Sequence, residues 1–267
     1  MSPRKKELVT QHTPDCLTLV LISDTHDMHR EVEVPNGDLL IHAGDFTMDS
    51  RSAAALIDFD EWLGELPHAY RVVIPGNHDG FLEDSTRRQL ITNASLLINE
   101  GIEVMGLKIW GSPTTPLLGE AFGVVSDRDR AKLYSRIPAD TDILVTHGPP
   151  YGILDQAPGS EYHAGCQQLL SAVRRIKPML HVFGHSHAGY GSFSTPDTLF
   201  VNAALPGNGY DLAILRTCSV CQGVGCARAS GTAWAFLAGT ASYPFNGFNL
   251  RTPMDRGFGG HARETNS

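Results

Sequence analysis

The sequence predicts an α/β protein in which buried strands alternate with amphipathic helices. Several short segments are apolar on both faces, as the strands of a covered parallel sheet are. Longer segments between them repeat apolar residues every three or four positions, which is typical of helices that pack on one face. Polar motifs containing Asp, Asn and His directly follow the apolar runs. They therefore lie at the sheet edge where α/β proteins bind their ligands.

The strand predictions rest on short, largely apolar runs bounded by turn residues. The predicted strands cover residues 17–22, 39–42, 71–74, 103–110, 143–146, 180–183 and 199–202. Three segments between them are predicted as helices: residues 53–66, 127–136 and 166–177. In the first helix, Leu56, Phe59 and Leu63 recur on one face. Asp49 or Ser50 is expected to cap its first turn.

Composition narrows the class of protein. Of the 267 residues, 42% are hydrophobic and 19% are charged, which is typical of a folded globular chain. The net charge of −8 argues against nonspecific binding to nucleic acid, which depends on clustered Lys and Arg. No apolar segment resembles a secretory signal or a membrane span, and the five cysteines are an odd number. We therefore expect a cytoplasmic protein that does not bind membranes.

The chain is expected to divide into a domain over residues 15–216 and a C-terminal appendage over residues 217–267. The appendage is rich in Gly, Ala and Ser, and its role is not indicated by the sequence. Its cysteines, Cys218, Cys221 and Cys226, have part of the spacing of a zinc knuckle but lack a clear fourth ligand. Free thiols are the favoured interpretation. The appendage is expected to contribute little to the functional site.

Polar residues with metal-binding side chains follow five of the predicted strands. They are Asp24, His26, Asp45, Asn77, His78, Asp79, His147, His185 and His187. Asp24 and His26 are two positions apart, as are His185 and His187, so each pair would share one side of an extended segment. Taken singly, each residue has an ordinary explanation as a turn aspartate or a buried histidine. As a set at strand ends, they indicate a centre that holds divalent metals.

The order of these motifs resembles the calcineurin-like metallophosphoesterase family over roughly residues 17–216. The motifs are Asp24-Thr25-His26, Gly44-Asp45, Gly76-Asn77-His78-Asp79, Thr146-His147-Gly148 and Gly184-His185-Ser186-His187. Residues 39–47, 146–150, 165–166 and 181–191 are also similar to its metallophosphoesterase-domain-containing subgroup. The resemblance implies two packed mixed β-sheets flanked by helices, with the metal site at the C-terminal ends of strands. It also implies hydrolysis of phosphoesters, phosphodiesters and cyclic nucleotides among them, by a metal-bridging hydroxide.

The resemblance further implies a role for each motif residue. Asp24, His26, Asp45 and His187 would hold one metal, and Asp45, Asn77, His147 and His185 would hold the other. His78 would be the catalytic histidine, and Asp79 would orient its ring. The cofactors would be two divalent ions, drawn from Mn, Fe, Zn, Ni or Co, because this O/N ligand set suits all of them.

Substrate choice is less determined. His163 and Tyr190 are close in sequence to metal motifs and are candidate substrate-binding residues for a small phosphoester or nucleotide. His42 and His181 belong to no metal motif and are expected to be structural or exposed. Two alternatives stay open: a scaffold or binding protein on the same fold, and a dinuclear metal enzyme acting on a non-phosphate substrate. The sequence does not indicate the oligomeric state.

Overall fold

Twelve strands and three α-helices are present in the residues that the structure, a computed structural model, describes: 16–48, 52–157, 159–205, 216–221 and 236–238. The first half contains β1 (Cys16–Ile22), β2 (Leu39–His42), α1 (Ala53–Glu65), β3 (Tyr70–Val73), β4 (Ser95–Leu96), β5 (Glu100–Val104) and β6 (Leu107–Ser112). The second half contains α2 (Asp127–Tyr134), β7 (Ile143–Thr146), α3 (Gln167–Ile176), β8 (Leu180–Phe183), β9 (Gly191–Ser194), β10 (Leu199–Asn202), β11 (Arg216–Cys221) and β12 (Phe236–Ala238).

The strands form two mixed sheets. Within the described ranges, the first sheet has the order β12-β11-β1-β2-β3-β4, in which β1 to β4 are parallel and β11 and β12 are antiparallel. The second has the order β5-β6-β7-β8-β10-β9, in which the four central strands are parallel. The predicted α/β fold with two mixed sheets is confirmed. Since parallel strands end at one edge, the motif loops of each sheet lie side by side.

Alternation along each strand explains why the runs are apolar throughout. In β1, Leu19 and Leu21 pack into the core that also contains Val145 and Val182 of the second sheet. The intervening residues, Val20 and Ile22, pack with Phe59 and Leu63 of α1. On the second sheet, α3 covers the outer face in the same way, with Leu169 and Val173 against Phe183. Both faces of each sheet are therefore buried.

Two local features differ from the sequence-based expectation. Helix α1 is capped by Ser52, whose hydroxyl accepts a hydrogen bond from the Ala54 amide at 3.0 Å, whereas the predicted caps, Asp49 and Ser50, lie outside the described residues. Residues 103–110 are not one strand, because β5 and β6 form a hairpin that turns at Met105 and Gly106. Both turn residues have positive φ (53° and 75°), as a tight two-residue hairpin turn requires.

The end of the chain contributes strands to the first sheet. Strand β11 pairs antiparallel with β1, from Cys16 opposite Cys221 to Leu21 opposite Arg216, and β12 pairs with β11. The predicted boundary between residues 216 and 217 therefore falls inside a strand. Cys226 lies outside the described residues, and the role of the appendage stays a prediction. Among the described residues, no helix has the length and apolarity needed to cross a membrane.

Candidate metal centre

The five motif loops converge at one end of the sandwich. Asp45 Oδ2 lies 3.2 Å from His147 Nε2, although 102 residues separate them in sequence. Asp24 Oδ1 lies 3.4 Å from His187 Nε2, and Asn77 Oδ1 lies 2.9 Å from His147 Nε2. The side chains that the sequence places at separate strand ends are thus brought together.

Three groups of side chains place their ligand atoms within 4.8 Å of one another. Two of them, Asp24–His26–His187 and Asp45–His147–His185, correspond to the two predicted metal sets. The third joins His26 and Asp45 to His78, the predicted catalytic histidine. Asp45 belongs to the second and third of these sets of atoms, with His147 and with His26, but not to the group that contains Asp24.

The hydrogen bonds of His147 test whether this donor set fits a cation. Its Nδ1–H donates to the backbone carbonyl of Ala43 at 2.9 Å, so Nε2 carries the lone pair in the neutral ring. That lone pair faces the Asp45 carboxylate and the Asn77 amide oxygen. Three acceptors that face one another repel unless a cation or a proton lies between them. Without a metal that position is taken by a proton, because the Asp45 carboxylate, against the effect of burial, raises the pKa of His147 to about 9. Nitrogen and oxygen ligands oriented by an outer hydrogen bond are what divalent metals bind, so the residues fit such an ion.

Burial and charge set the ionisation of the ligands. Burial alone would raise the pKa of Asp45, but the positive charge of His147 and its hydrogen bond lower that pKa. Burial likewise opposes the shift at Asp24, whose pKa is lowered by its hydrogen bond to His187. Burial and the nearby charge of His147 lower the pKa of His185 to about 4. The centre therefore offers ionised carboxylates beside a neutral imidazole, which are the metal-binding forms.

Four of the candidate ligands have left-handed backbone conformations. They are Asp24 (φ 59°), His26 (φ 43°), Asp45 (φ 54°) and His185 (φ 65°). Such conformations cost on the order of 1–3 kcal/mol each and persist where surrounding contacts impose them. Asp24 and His26 donate backbone hydrogen bonds to Gly44 and Asp45 at 2.9 and 3.0 Å, which imposes the turn. The extended geometry predicted for Asp24 and His26 is therefore wrong, although both join one ligand group. The same prediction for His185 and His187 is also wrong, and these two histidines join different ligand groups.

The motif glycines are explained by the ligands that press against them. A Cβ on Gly184 would lie 2.1 Å from both Asp24 Oδ2 and Ser23 Oγ. A Cβ on Gly76 would lie 2.2 Å from Asp45 Oδ1 and 2.6 Å from His147 Cε1. Side chains at these positions would displace the ligands, so the loops need glycine for close approach.

The structure gives Asp79 a role that differs from the prediction. Its Oδ2 accepts hydrogen bonds from the amides of Asp45 (2.8 Å) and Gly76 (2.7 Å), and its Oδ1 accepts from the amide and hydroxyl of Thr47. The buried carboxylate thus ties the loop after β2 to the loop after β3. The ring of His78 is oriented instead by Met48, whose carbonyl accepts from Nδ1 at 2.7 Å. His78 also packs edge-on against His26, with ring centroids 4.9 Å apart.

The predicted substrate residues lie outside the three ligand groups. His163 donates from Nδ1 to the buried Asp155 at 2.8 Å, and its ring packs on Tyr151 at 4.6 Å. Tyr190 follows the last motif and donates its amide to the carbonyl of His187 at 3.2 Å. Both are partly exposed, and their role in substrate binding stays a prediction.

Sequence reasoning missed Asn202, at the end of β10. Its side-chain amide donates to the carbonyls of Ser186 (2.8 Å) and Leu154 (3.1 Å), and so fixes the loop that carries His185 and His187. Its strand shares the edge with the motif strands, and a polar residue at that edge was the available signal. The Met48 carbonyl gave no such signal, because a backbone acceptor is common to every residue type.

Fold and site together define an α/β sandwich whose strand-end loops are suited to hold divalent cations. The model of the calcineurin-like phosphoesterase family matches residues 17–189, and the chain belongs to that family. The family resemblance drawn from the motifs is thereby confirmed.

Similar proteins agree with this assignment. The UPF0046 protein K07C11.7 of Caenorhabditis elegans is 38% identical over 211 residues, which cover 73% of this chain and 71% of the relative. Human metallophosphoesterase domain-containing protein 1 is 37% identical over 219 residues, covering 72% of this chain and 67% of the relative. The crystal structure of TT1561 of Thermus thermophilus has a TM-score of 0.52 at 13% identity and covers 75% of this chain and 93% of its own. At that identity, the last similarity concerns the fold alone.

Proposed function

We propose that the chain is a two-metal hydrolase that cleaves small phosphodiesters, with cyclic nucleotides among its substrates. The observation that carries the proposal is the convergence of His147 Nε2, Asp45 Oδ2 and Asn77 Oδ1, three atoms from three motif loops that can each bind a cation. Membership of the calcineurin-like phosphoesterase family supports phosphoester hydrolysis as the reaction.

The two ions would be held by sets that share Asp45. Subsite one would comprise Asp24, His26 and His187 together with Asp45, which shares a ligand group with His26, and subsite two would comprise Asn77, His147, His185 and Asp45. When bound, two divalent cations at these places would lower the pKa of water and offset the charge of a phosphate. The two carboxylates of the ligand set leave a positive excess of charge beside two divalent ions, which favours an anionic ester.

His78 is proposed as the group that moves a proton. Its Nδ1–H is committed to the Met48 carbonyl, so Nε2 is the nitrogen that can face the substrate. A proton on Nε2 would pass to the oxygen of the departing alcohol as the P–O bond breaks. Asp79 serves this step indirectly, because its carboxylate ties Gly76, which precedes Asn77, to Thr47, which precedes Met48.

The substrate is proposed to be small. The net charge of −8 is unsuited to a nucleic-acid strand, whose binding depends on many contacts between cations and phosphates. A single phosphodiester or nucleotide needs only the local positive charge of the metal centre. His163 and Tyr190 are proposed to contact the part of the substrate that lies beyond the phosphate.

The proposal is tested by turnover of the full chain with added Mn²⁺ after chelator treatment. The panel holds a bis(nitrophenyl) phosphodiester, nitrophenyl phosphate, and 2′,3′- and 3′,5′-cyclic nucleotides. Metal-dependent cleavage of diesters above the monoester is expected. An Asp45→Asn variant controls for contaminating phosphatases, because it removes the shared charge at constant size. Two bound metals without turnover of any ester would favour the scaffold or the non-phosphate alternative.

A further inference from the structure

Two buried histidines outside the ligand groups occupy matching places in the two sheets. His42 ends β2 and His181 lies in β8, and each is fully buried on the outer face of its sheet. Each imidazole packs against two phenylalanine rings, with centroids 5.0–5.8 Å apart. The rings are Phe46 and Phe59 around His42, and Phe183 and Phe200 around His181. An aliphatic side chain would suit such surroundings, so the imidazoles call for a further explanation.

His42 contacts two ligand loops at once. Its Nδ1 accepts a hydrogen bond from the Gly44 amide at 3.3 Å, so Nε2 carries the proton and donates to the Thr25 hydroxyl at 3.0 Å. Thr25 separates Asp24 from His26, which both have left-handed backbones. Gly44 immediately precedes the carboxylate that the two subsites share. His42 thus holds the backbone on which subsite one is built.

His181 acts on the other subsite through one hydroxyl. The Thr146 hydroxyl lies 2.9 Å from His181 Nε2 and donates its own proton to the Gly148 carbonyl at 2.8 Å. His181 Nε2 must therefore be the donor to Thr146. The bond from Thr146 to Gly148 spans His147, whose ring lies at the centre of subsite two. His181 thus fixes the orientation of that hydroxyl, and the hydroxyl closes the turn that directs the His147 ring.

We infer that His42 and His181 are positioning residues, each serving one metal subsite through a threonine hydroxyl. The inference rests on the proposed two-metal function and adds that His42 supports subsite one and His181 supports subsite two. It requires that losing the hydrogen bond between Nε2 and the threonine hydroxyl weakens one ion and leaves the other unchanged. A residue that only filled the core would affect both ions equally or neither.

The test titrates the full, chelator-treated chain with Mn²⁺ by calorimetry, in backgrounds that keep one subsite. His185→Ala removes a ligand of subsite two and leaves subsite one. In that background, His42→Leu is expected to weaken the remaining Mn²⁺ by about tenfold, the lower range for loss of an outer-sphere partner. His181→Leu should leave it unchanged. In a His26→Ala background, which keeps subsite two, His181→Leu should weaken the remaining Mn²⁺ and Thr25→Val should leave it unchanged. Thr25→Val replaces His42→Leu there, because loss of the His42 ring would also free the Gly44 amide beside the shared Asp45.

Glutamine variants separate positioning from packing. The amide nitrogen of Gln can donate from near the place of histidine Nε2, so His42→Gln and His181→Gln should restore the affinity that Leu loses. Thr25→Val and Thr146→Val remove the hydroxyls at constant size. They should reproduce the selective losses even if a Leu variant fails to fold.

The outcomes distinguish this inference from the proposed function. Wild-type protein that binds fewer than two equivalents of Mn²⁺ would overturn the two-metal function itself. Two wild-type equivalents, together with Thr25→Val and Thr146→Val variants that weaken neither ion or weaken both alike, would overturn the positioning role alone. Gln variants as weak as Leu variants would also overturn it, because they would show that size and not the donor matters.

Discussion

Histidines of one chemical type perform different tasks in this chain because their surroundings differ. Burial together with the charge of His147 lowers the pKa of His185 to about 4. The pKa of His187 is raised, chiefly by its hydrogen bond to Asp24. The ring of His78 is held by a backbone carbonyl and belongs to a ligand group, yet it is also the side chain free to meet a substrate. Substitution of His78 can show whether it binds a metal ion or donates a proton to the substrate.

We predict that His78→Ala keeps both metal ions but lowers kcat by roughly 10²–10⁴-fold, the usual contribution of a positioned proton donor. Esters with nitrophenolate leaving groups should lose less, because they need little protonation. Metal content by elemental analysis and kcat on two diesters of different leaving group check this. A variant that loses one metal would instead show that His78 is a ligand, as the group with His26 and Asp45 allows.

The hydrogen-bond partners of Asp79 could not be predicted from the sequence. The sequence places it beside His78, and adjacency suggested that it orients that ring. The structure shows its carboxylate occupied by three amides and a hydroxyl from two loops. Backbone amides are the same in every residue, so no sequence pattern indicates which of them a carboxylate will accept. The ligand positions were more predictable, because metal binding demands particular side chains.

At the scale of elements, the strand ends determine the site. The apolar runs of β1, β2 and β3 were predictable, because burial on both faces leaves a clear pattern. The hairpin of β5 and β6 was not, since Met105 is an unusual residue for positive φ. Strand β11 was not predicted either, because its sequence, Arg-Thr-Cys-Ser-Val-Cys, contains a single aliphatic residue and no continuous apolar run. Short-range composition cannot show that such a strand pairs with β1.

The motif loops should tolerate substitution according to how closely the ligands approach. Gly184→Ala places a methyl group 2.1 Å from Asp24 Oδ2, so we predict a roughly 10–100-fold loss of metal affinity. Gly148→Ala is the matched control, because its nearest neighbour would be Thr115 Cγ2 at 3.8 Å, an ordinary contact. Mn²⁺ titration of both variants provides the measurement. Equal affinities would show that the loop after β8 relaxes without moving the carboxylate.

Chain truncation should distinguish the contribution of β11 from that of the residues that follow β12. A chain ending at Ala238 retains β11 and β12, and we predict that it binds metal and turns over diesters like the full chain. A chain ending at Arg216 loses the partner of β1, the strand that leads into Asp24. Each lost ladder hydrogen bond costs about 0.5–1.5 kcal/mol, so it should unfold at markedly lower urea concentration. Equal urea midpoints for the two truncated chains would contradict a structural role for β11.

At the scale of the whole molecule, stability depends on two sheets whose buried faces also contain polar groups. His42, His181, Asp79 and Asn202 are all fully buried behind the site. Burying such groups costs free energy unless each is hydrogen-bonded. Their hydrogen bonds connect the core to the motif loops, so the same contacts that lower this cost also position the ligands. Stability and metal binding are therefore coupled through the buried polar residues.

The unfolding free energy should decrease at acidic pH because of the buried His181. Burial lowers the pKa of His181 to about 3 from its ordinary 6.5, so the folded protein keeps the ring neutral while the unfolded chain gains a proton below pH 6.5. Its contribution to stability is thus fully present above pH 6.5 and is lost as pH falls toward 3. The metal-free protein should lose about 1.4 kcal/mol of unfolding free energy per pH unit from this residue, or roughly 2 kcal/mol between pH 6.5 and about 5. His181→Gln keeps a donor for Thr146 but cannot titrate, so the unfolding free energy of this variant should fall less steeply over the same pH range. Urea unfolding of both proteins at several pH values, with chelator present throughout, measures the two slopes. Equal slopes would mean that the folded protein accommodates the imidazolium.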